Sequence, residues 1–382
     1  MKNNTVVQQY DYAYGQVDLN TGTVDATKNT GQLARVEGYI GGTTTSPDKQ
    51  WQQRFTYDTV GRLSQSSEYR NDSGTLSLTH KSQFDYDRWG NRYCKSAANP
   101  NSLSSITIEE TDIEKARNRF SSSTNTTYDE AGNVTTDNKF RNLSYRYDAN
   151  GRQVWTQNSD STGSENKAVY DGGGNRVATL VSGQWKYSVY DVGGNLLAEY
   201  GQQQITSDKI RYYLQDSQAS TRVVMNQTAS VISRTDYQAF GEEIGAEVGR
   251  RTTSQKYSQT DNNRQRFAMT ERDEATGLEH AWFRKYDNLA GRWTSPDPYK
   301  GSMSIENPQS FNRFAYVEND PINSIDPSGL MWVFRHTWVS SQTTGDGGEM
   351  IVKWVHRYYH DFMDYLLGQG INSSPKSKNS FR

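Results

Sequence analysis

Apolar and polar residues alternate along this chain in short arms, and each arm ends at the same punctuation. After Gly174 the chain reads Asn-Arg-Val-Ala-Thr-Leu-Val, so Val177, Thr179 and Val181 share one face. That period of two predicts a strand. The punctuation is Tyr-Asp-x-x-Gly. It occurs at Tyr57-Asp58 with Gly61, Tyr86-Asp87 with Gly90, Tyr128-Asp129 with Gly132, and Tyr147-Asp148 with Gly151. It returns at Tyr170-Asp171 with Gly174 and at Tyr190-Asp191 with Gly194. From Tyr128 to Tyr190 the tyrosines are spaced by 19, 23 and 20 residues, while the earlier spacings of 29 and 42 imply inserted loops. In each unit the tyrosine closes a strand and buries its ring. The aspartate accepts backbone N–H groups of the turn, and the glycine takes a positive φ that other residues resist. The units therefore predict hairpins stacked side by side in one extended, curved sheet. Tyr10-Asp11-Tyr-Ala-Tyr-Gly15 reads as a degenerate copy.

Elsewhere the pattern changes. Residues 242–264 are polar and predict a loop. Beyond Leu330, residues 331–340 and 349–355 read as two strands around the glycine-rich turn at 344–348. Residues 356–367 read as a short amphipathic helix, and the last 12 residues are polar. The fold class expected is mainly β, with a small mixed C-terminal tail. No segment approaches the roughly 20 apolar residues that span a bilayer, and residues 1–30 carry no apolar run of a signal peptide.

Composition sharpens this reading. Hydrophobic residues make up only 33% of the chain and the mean hydropathy is −0.94, which is low for one thick core. Yet 25 Tyr, 12 Phe and 9 Trp argue against disorder. A thin, extended β structure reconciles the two. The net charge of −2, from 42 basic and 44 acidic residues, shows no electrostatic footprint for nucleic acid. Cys94 is the single cysteine and excludes an intrachain disulfide. His356 and His360 stand one helical turn apart, with Asp361 and Asp364 near them. A zinc-protease motif needs glutamate after the first histidine, and Arg357 stands there. The preferred reading is an amphipathic helix carrying polar histidines, so no metal or cofactor is expected.

Two carboxylates held close cannot both ionise cheaply, and such a pair can activate water on one side and protonate a leaving amine on the other. Asp297, Asp320 and Asp326 each precede proline. From the residues alone these are turns, since proline fixes φ and a following glycine releases it.

The stretch around them carries a longer pattern. It runs Gln265-Arg-Phe-Ala-Met-Thr-Glu-Arg-Asp-Glu-Ala-Thr-Gly-Leu278, then Phe283-Arg-Lys-Tyr-Asp287 and Gly291-Arg-Trp-Thr-Ser-Pro-Asp-Pro298. Asn312-Arg-Phe-Ala-Tyr-Val-Glu-Asn-Asp-Pro321 and Ile325-Asp-Pro-Ser-Gly-Leu330 complete it. This resembles the core domain that closes Rhs/YD-repeat proteins, the bacterial polymorphic-toxin shells. Arg211-Tyr-Tyr-Leu-Gln-Asp216 through Arg222, and Asp236-Tyr-Gln-Ala-Phe-Gly241, resemble the passage into that core. Gln218-Ala219 and Ala239 depart from the family's usual His-Leu-Gly and proline.

The resemblance implies YD-repeat hairpins over 1–255, a repeat-associated core over 256–330 and a variable tail over 331–382. It implies a β-shell whose core is an aspartyl autoprotease acting only on itself. The family's two aspartates fall on Asp297 and Asp326, with Asp320 as the alternative, and cleavage falls between Leu330 and Met331. Arg292 and Arg313 would orient or screen the carboxylates. Asp297 and Asp326 are 29 residues apart, a longer connection than in many relatives, and an outward loop near Ser302 accounts for the excess. The implied partners are the chain's own tail as cargo and the rest of a longer shell or other subunits. The implied location is secreted or at the cell surface, in bacterial competition. The alternative is a non-enzymatic surface scaffold contacting carbohydrate or another cell.

Overall fold

A computed structural model describes residues 5–95, 107–193, 196–201, 210–261 and 263–334. The strand and helix expectations for 335–382, including His356, His360, Asp361 and Asp364, lie outside the described residues. Residues 1–332 form one compact unit. Among the described residues the structure is strands and short 3-10 turns, with no α-helix and no helix long and apolar enough to cross a membrane.

Two antiparallel sheets dominate. The first has five strands: Gln9–Tyr14, Leu33–Gly42, Pro47–Tyr57, Leu63–Asp72 and Thr75–Gln83. The second is an eight-stranded meander running from Thr126–Tyr128 to Leu196–Gly201, each strand bonded to the next in sequence. A three-stranded sheet over Arg211–Arg234 and a four-stranded one from Glu271–Arg272 to Arg292–Trp293 follow. The sheets are not closed. Gln9–Tyr14, Thr75–Gln83, Thr126–Tyr128 and Leu196–Gly201 are outermost strands of the two large sheets.

The repeated turn explains the meander. In every unit the tyrosine pairs across the hairpin with the residue six places on, as Tyr57 with Leu63, Tyr147 with Gln153 and Tyr170 with Arg176. The aspartate fills the turn. Asp148 Oδ1 accepts from the N–H groups of Asn150 and Arg152, both at 2.9 Å, and Oδ2 takes the Arg152 side chain at 2.8 Å. Asp58, Asp87, Asp129 and Asp171 hold the residue four places on in the same way. Gly61, Gly132 and Gly174 sit at φ near +90°, where a Cβ would be strained. Three more turns have this geometry without the signature. Gln215 pairs with Thr221, Met225 with Val231, and Tyr237 with Glu243. Their glycine places are taken by Ala219, Ala229 and Gly241, all at positive φ. The proposed copy at Tyr10 to Gly15 is not a turn. Its glycine comes one residue too late, and Tyr10 to Tyr14 form a strand.

Neighbouring units are joined by their tyrosines. The hydroxyl of Tyr86 donates to the Leu63 carbonyl at 2.6 Å, and that of Tyr57 to Leu33 at 2.7 Å. Tyr170, Tyr190 and Tyr237 reach Gln153, Arg176 and Thr221 likewise. For Tyr86, Tyr170 and Tyr190 the carbonyl belongs to the residue that closes the preceding turn, and for Tyr237 to the residue that closes the turn before that. Arg62 and Arg152 reinforce the joint by lying over the next unit's tyrosine ring, at 4.5 and 4.9 Å.

The boundary expected at 255/256 falls inside continuous packing. Ile322 joins Leu33, Trp51, Phe55 and Leu63 in the core of the first sheet, and Leu278 joins Val134, Leu143 and Tyr145 in that of the second. The polar stretch 242–264 is largely irregular, as expected, but it drives Arg251 and Tyr257 into the interior. Arg251 bridges Glu68 of the first sheet and Asp236.

Candidate active site

Four segments converge beside Leu330. Trp293 and Asp297 bond through their N–H groups to the carbonyls of Phe314 and Arg313, at 2.9 and 3.0 Å, which fixes the Asp297 loop against 313–314. Phe283 N–H holds the Ser328 carbonyl at 2.9 Å, tying the 281–284 segment to the turn after Asp326. An aromatic stack braces this region. Tyr286 and Tyr316 lie 4.1 Å apart, with Trp293 against both at 5.7 Å.

The structure brings Asp297 and Asp326 to one guanidinium. Arg284 Nη2 lies 3.5 Å from Asp297 Oδ2 and 3.5 Å from Asp326 Oδ2. The two oxygens therefore stand no farther apart than twice that distance. Arg284 rests over the Trp293 ring at 4.2 Å, and its Nε donates to the Gly329 carbonyl. Asp326 Oδ1 accepts from Gly329 N–H at 2.8 Å, from Leu330 N–H at 3.2 Å and from Ser328 Oγ at 3.1 Å. Asp297 accepts from Tyr299 N–H at 2.8 Å and from Ser302 Oγ at 2.9 Å. Arg284 and Asp326 are buried, as is Leu330, and the Asp297 side chain is 9% exposed.

Burial raises the Asp326 carboxyl above its ordinary range. Arg284, Gly329 N–H and Ser328 pull it down, and Asp297 adds a smaller push upward. Burial also lowers Arg284 to about 10, against the pull of the two carboxylates. Asp326 thus holds a proton more readily than a free carboxyl, with Asp297 beside it across the Arg284 guanidinium. Two carboxyl groups so placed can divide the work of donor and acceptor. Asp326 also organises the Pro-Ser-Gly turn, so the turn reading and the chemical reading describe the same atoms.

The other expected residues are placed as follows. Arg313 reaches the loop: its Nη2 is 3.8 Å from Asp297 Oδ1 and donates to the carbonyls of Asp297 and Tyr299. Arg292 does not reach it, which corrects the expectation. It donates to the Asn118 carbonyl and lies over Phe120 and Phe314, because successive strand residues point to opposite faces and Trp293 takes the face toward Arg284. Asp320 is held apart by Asn323 Nδ2 at 2.7 Å, and burial pushes it up to about 6. The longer connection does loop outward at Ile305, which is 90% exposed, while Ser302 at its base touches Asp297. Arg284 itself was missed by sequence reasoning. It stands in the quoted Phe-Arg-Lys-Tyr-Asp run, but nothing local links it to either aspartate. Among the described residues no group of three or more His, Cys, Asp or Glu converges as a metal site.

No family model matches the chain. Among curated proteins it is similar to the tRNA nuclease WapA of Bacillus subtilis (strain 168), 26% identical over 294 residues, covering 72% of this chain and 12% of that protein. It is similar to the toxin subunit YenC1 of Yersinia entomophaga, 30% identical over 202 residues, covering 49% of this chain and 19% of that one. The chain thus spans less than a fifth of these relatives. Among solved structures, the crystal structure of TcdB2-TccC3-Cdc42 matches with a TM-score of 0.56 at 17% identity, over 84% of this chain and 17% of that one. That likeness is one of fold.

Proposed function

We propose that this chain, a member of the Rhs/YD-repeat family, is the C-terminal part of a secreted toxin shell that cuts itself after Leu330. The observation that carries the reading is Arg284, which joins Asp297 and Asp326 within one buried cluster and holds the chain just before the Leu330–Met331 bond. Asp297, as the carboxylate, takes a proton from water as it attacks the Leu330 carbonyl. Asp326, as the acid, delivers its proton to the Met331 nitrogen as the C–N bond breaks. Arg284 keeps the pair together and offsets their negative charge. Residues 331–382 are then the cargo. The open outer strands of both large sheets leave backbone groups for pairing with the rest of a longer shell chain or with other subunits. A solved structure of similar fold, TcdB2-TccC3-Cdc42, is itself an assembly, which supports this reading.

A second reading, a non-enzymatic YD-repeat scaffold contacting carbohydrate or another cell, is favoured by one observation. Trp185 and Tyr187 stack at 6.2 Å on an exposed sheet face, beside the exposed Tyr200 that pairs with Tyr187.

Intact mass of the full chain, beside Asp326→Asn and Asp297→Asn, separates the two. The self-cutting shell predicts a break after Leu330 that either substitution abolishes, with the fold retained by circular dichroism. An uncut wild-type chain, or a cut that persists in both variants, refutes the acid pair and leaves the scaffold.

A further inference from the structure

Hydrolysis consumes one water, yet Asp326 and Leu330 are buried. A small cavity shares Arg284 with the pair. Its walls include Tyr147, Gln153, His280, Trp282 and Ser295, and its water-accessible volume of ≈ 10 Å³ is the room of about one water molecule. Four of the lining residues carry a buried polar atom that completes no hydrogen bond: Tyr147 Oη, Gln153 Nε2, His280 Nδ1 and Trp282 Nε1. Native structures leave few such groups unsatisfied, and a set of four around one cavity calls for an occupant. No carboxylate lines the cavity, so nothing there would hold a metal cation.

The repeat pattern points the same way. Tyr128 departs from the pattern of Tyr86, Tyr170 and Tyr190, its hydroxyl accepting from Phe120 N–H at 2.9 Å. Tyr147 departs from it too, and does not donate to the carbonyl of Val134, which closes the preceding turn. Its hydroxyl stands beside Thr294 and Gln153 without completing a bond, while Val134 N–H is taken by the Thr294 carbonyl at 2.9 Å. Burial and the nearby Arg176 and Lys285 hold His280 neutral, so its free nitrogen can accept as well as donate. The four groups suit one water that accepts from Trp282 and Gln153 and donates to His280 and Tyr147.

We propose that this cavity holds an ordered water and that this water, passed along Arg284, is the one consumed when the Leu330–Met331 bond is cut. The second half rests on the acid-pair reading. The water oxygen bonds to the Leu330 carbonyl carbon, one proton goes to Asp297, and the proton of Asp326 goes to the departing Met331 amine. No other reactant is needed. Tyr147 and Gln153 are positioning residues in this step.

The test uses the near-isosteric Tyr147→Phe and Gln153→Met in the full chain, read two ways. Urea unfolding, done in the uncut Asp326→Asn background, reports occupancy. If water is present, each substitution removes one of its partners and lowers the folding equilibrium constant about fivefold. If the cavity is dry, each relieves an unsatisfied group and the protein becomes more stable, which overturns the proposal. The processing time course by intact mass then reports use. We expect a slowing of about tenfold or more, on the order of a lost proton-relay partner. Destabilisation with an unchanged time course would make the water structural and overturn its role in cutting. A wild-type chain that never cuts refutes the acid pair itself, and the urea arm still decides whether the cavity is wet.

Discussion

Replacing Arg251 with methionine should destabilise the fold by about 3–5 kcal/mol, the range for breaking a buried ion pair from one side. The guanidinium is 1% exposed. It donates to Glu68 Oε1 at 2.6 Å, to Glu68 Oε2 at 2.8 Å and to Asp236 Oδ2 at 2.7 Å. Asp236 would keep Arg222 at 3.2 Å, the Tyr257 hydroxyl at 3.0 Å and Trp51 Nε1 at 3.1 Å. Glu68 would keep only Gln53 at 2.9 Å and His80 at 4.0 Å, with no side-chain exposure at all. The cost therefore falls on Glu68. Converting it to glutamine as well should return more than half of the loss, because a neutral amide needs no counter-charge. Urea midpoints followed by tryptophan fluorescence measure both variants. The sign of the pH response is a second check. In the wild type Arg251 holds Glu68 below its ordinary value, overcoming burial, so its contribution is present above the unfolded carboxylate pKa and lost as pH falls through the folded one. In Arg251→Met burial is opposed only by His80 and the Gln53 amide, the folded pKa rises, and where it passes the unfolded value stability falls as pH rises. A loss under about 1 kcal/mol, or a double variant no better than the single, would refute the argument.

Three further outcomes are expected. Ala219 occupies a turn glycine's place at φ +56°, so Ala219→Gly should stabilise by about 0.5–1 kcal/mol, the left-handed strain relieved less the added entropy of the unfolded chain, and should raise the urea midpoint. Asp137 is pushed up to about 7, chiefly by burial and then by Asp287. Its folded pKa exceeds its unfolded one, so stability should decline from about pH 4 to about pH 7, and Asp137→Asn should flatten that decline in urea midpoints taken at pH 5 and pH 8. Gly329 sits at φ +78°, and a Cβ there would meet Arg284 N at 3.1 Å, Arg284 Cβ at 3.2 Å and Ala281 Cβ at 3.3 Å. Gly329→Ala should cost about 1–2 kcal/mol in urea from left-handed strain, and should slow any processing by displacing Arg284.

Local chemistry was readable and long-range closeness was not. Six turns could be found because tyrosine, aspartate and glycine each answer a demand within one hairpin. The turns at Gln215 and Met225 escaped, because alanine occupies their positive-φ places and only the six-residue pairing survives. Asp297 and Asp326 were named through a family pattern, while the resemblance gave Arg284 no role, since its link to them exists only in the fold. Arg251 escaped for the opposite reason: in a polar stretch a lone arginine looks solvated, and its partner Glu68 lies 183 positions away. Arg292 was misplaced by reasoning from proximity in sequence, where the strand's alternation decides.

The tyrosine joints give the sheet a mechanical grain. Those of Tyr86, Tyr170 and Tyr190 fasten a turn to the close of the turn before it and leave the arms between free to differ in length, which is how the longer arms near Tyr86 fit without disturbing the joint. A pull along the stack would load one joint at a time. Each failure would release one unit of about 20 residues, or roughly 70 Å of extended chain. Such a wall should yield in discrete steps, from its free margins inward, and stay shut elsewhere while it does.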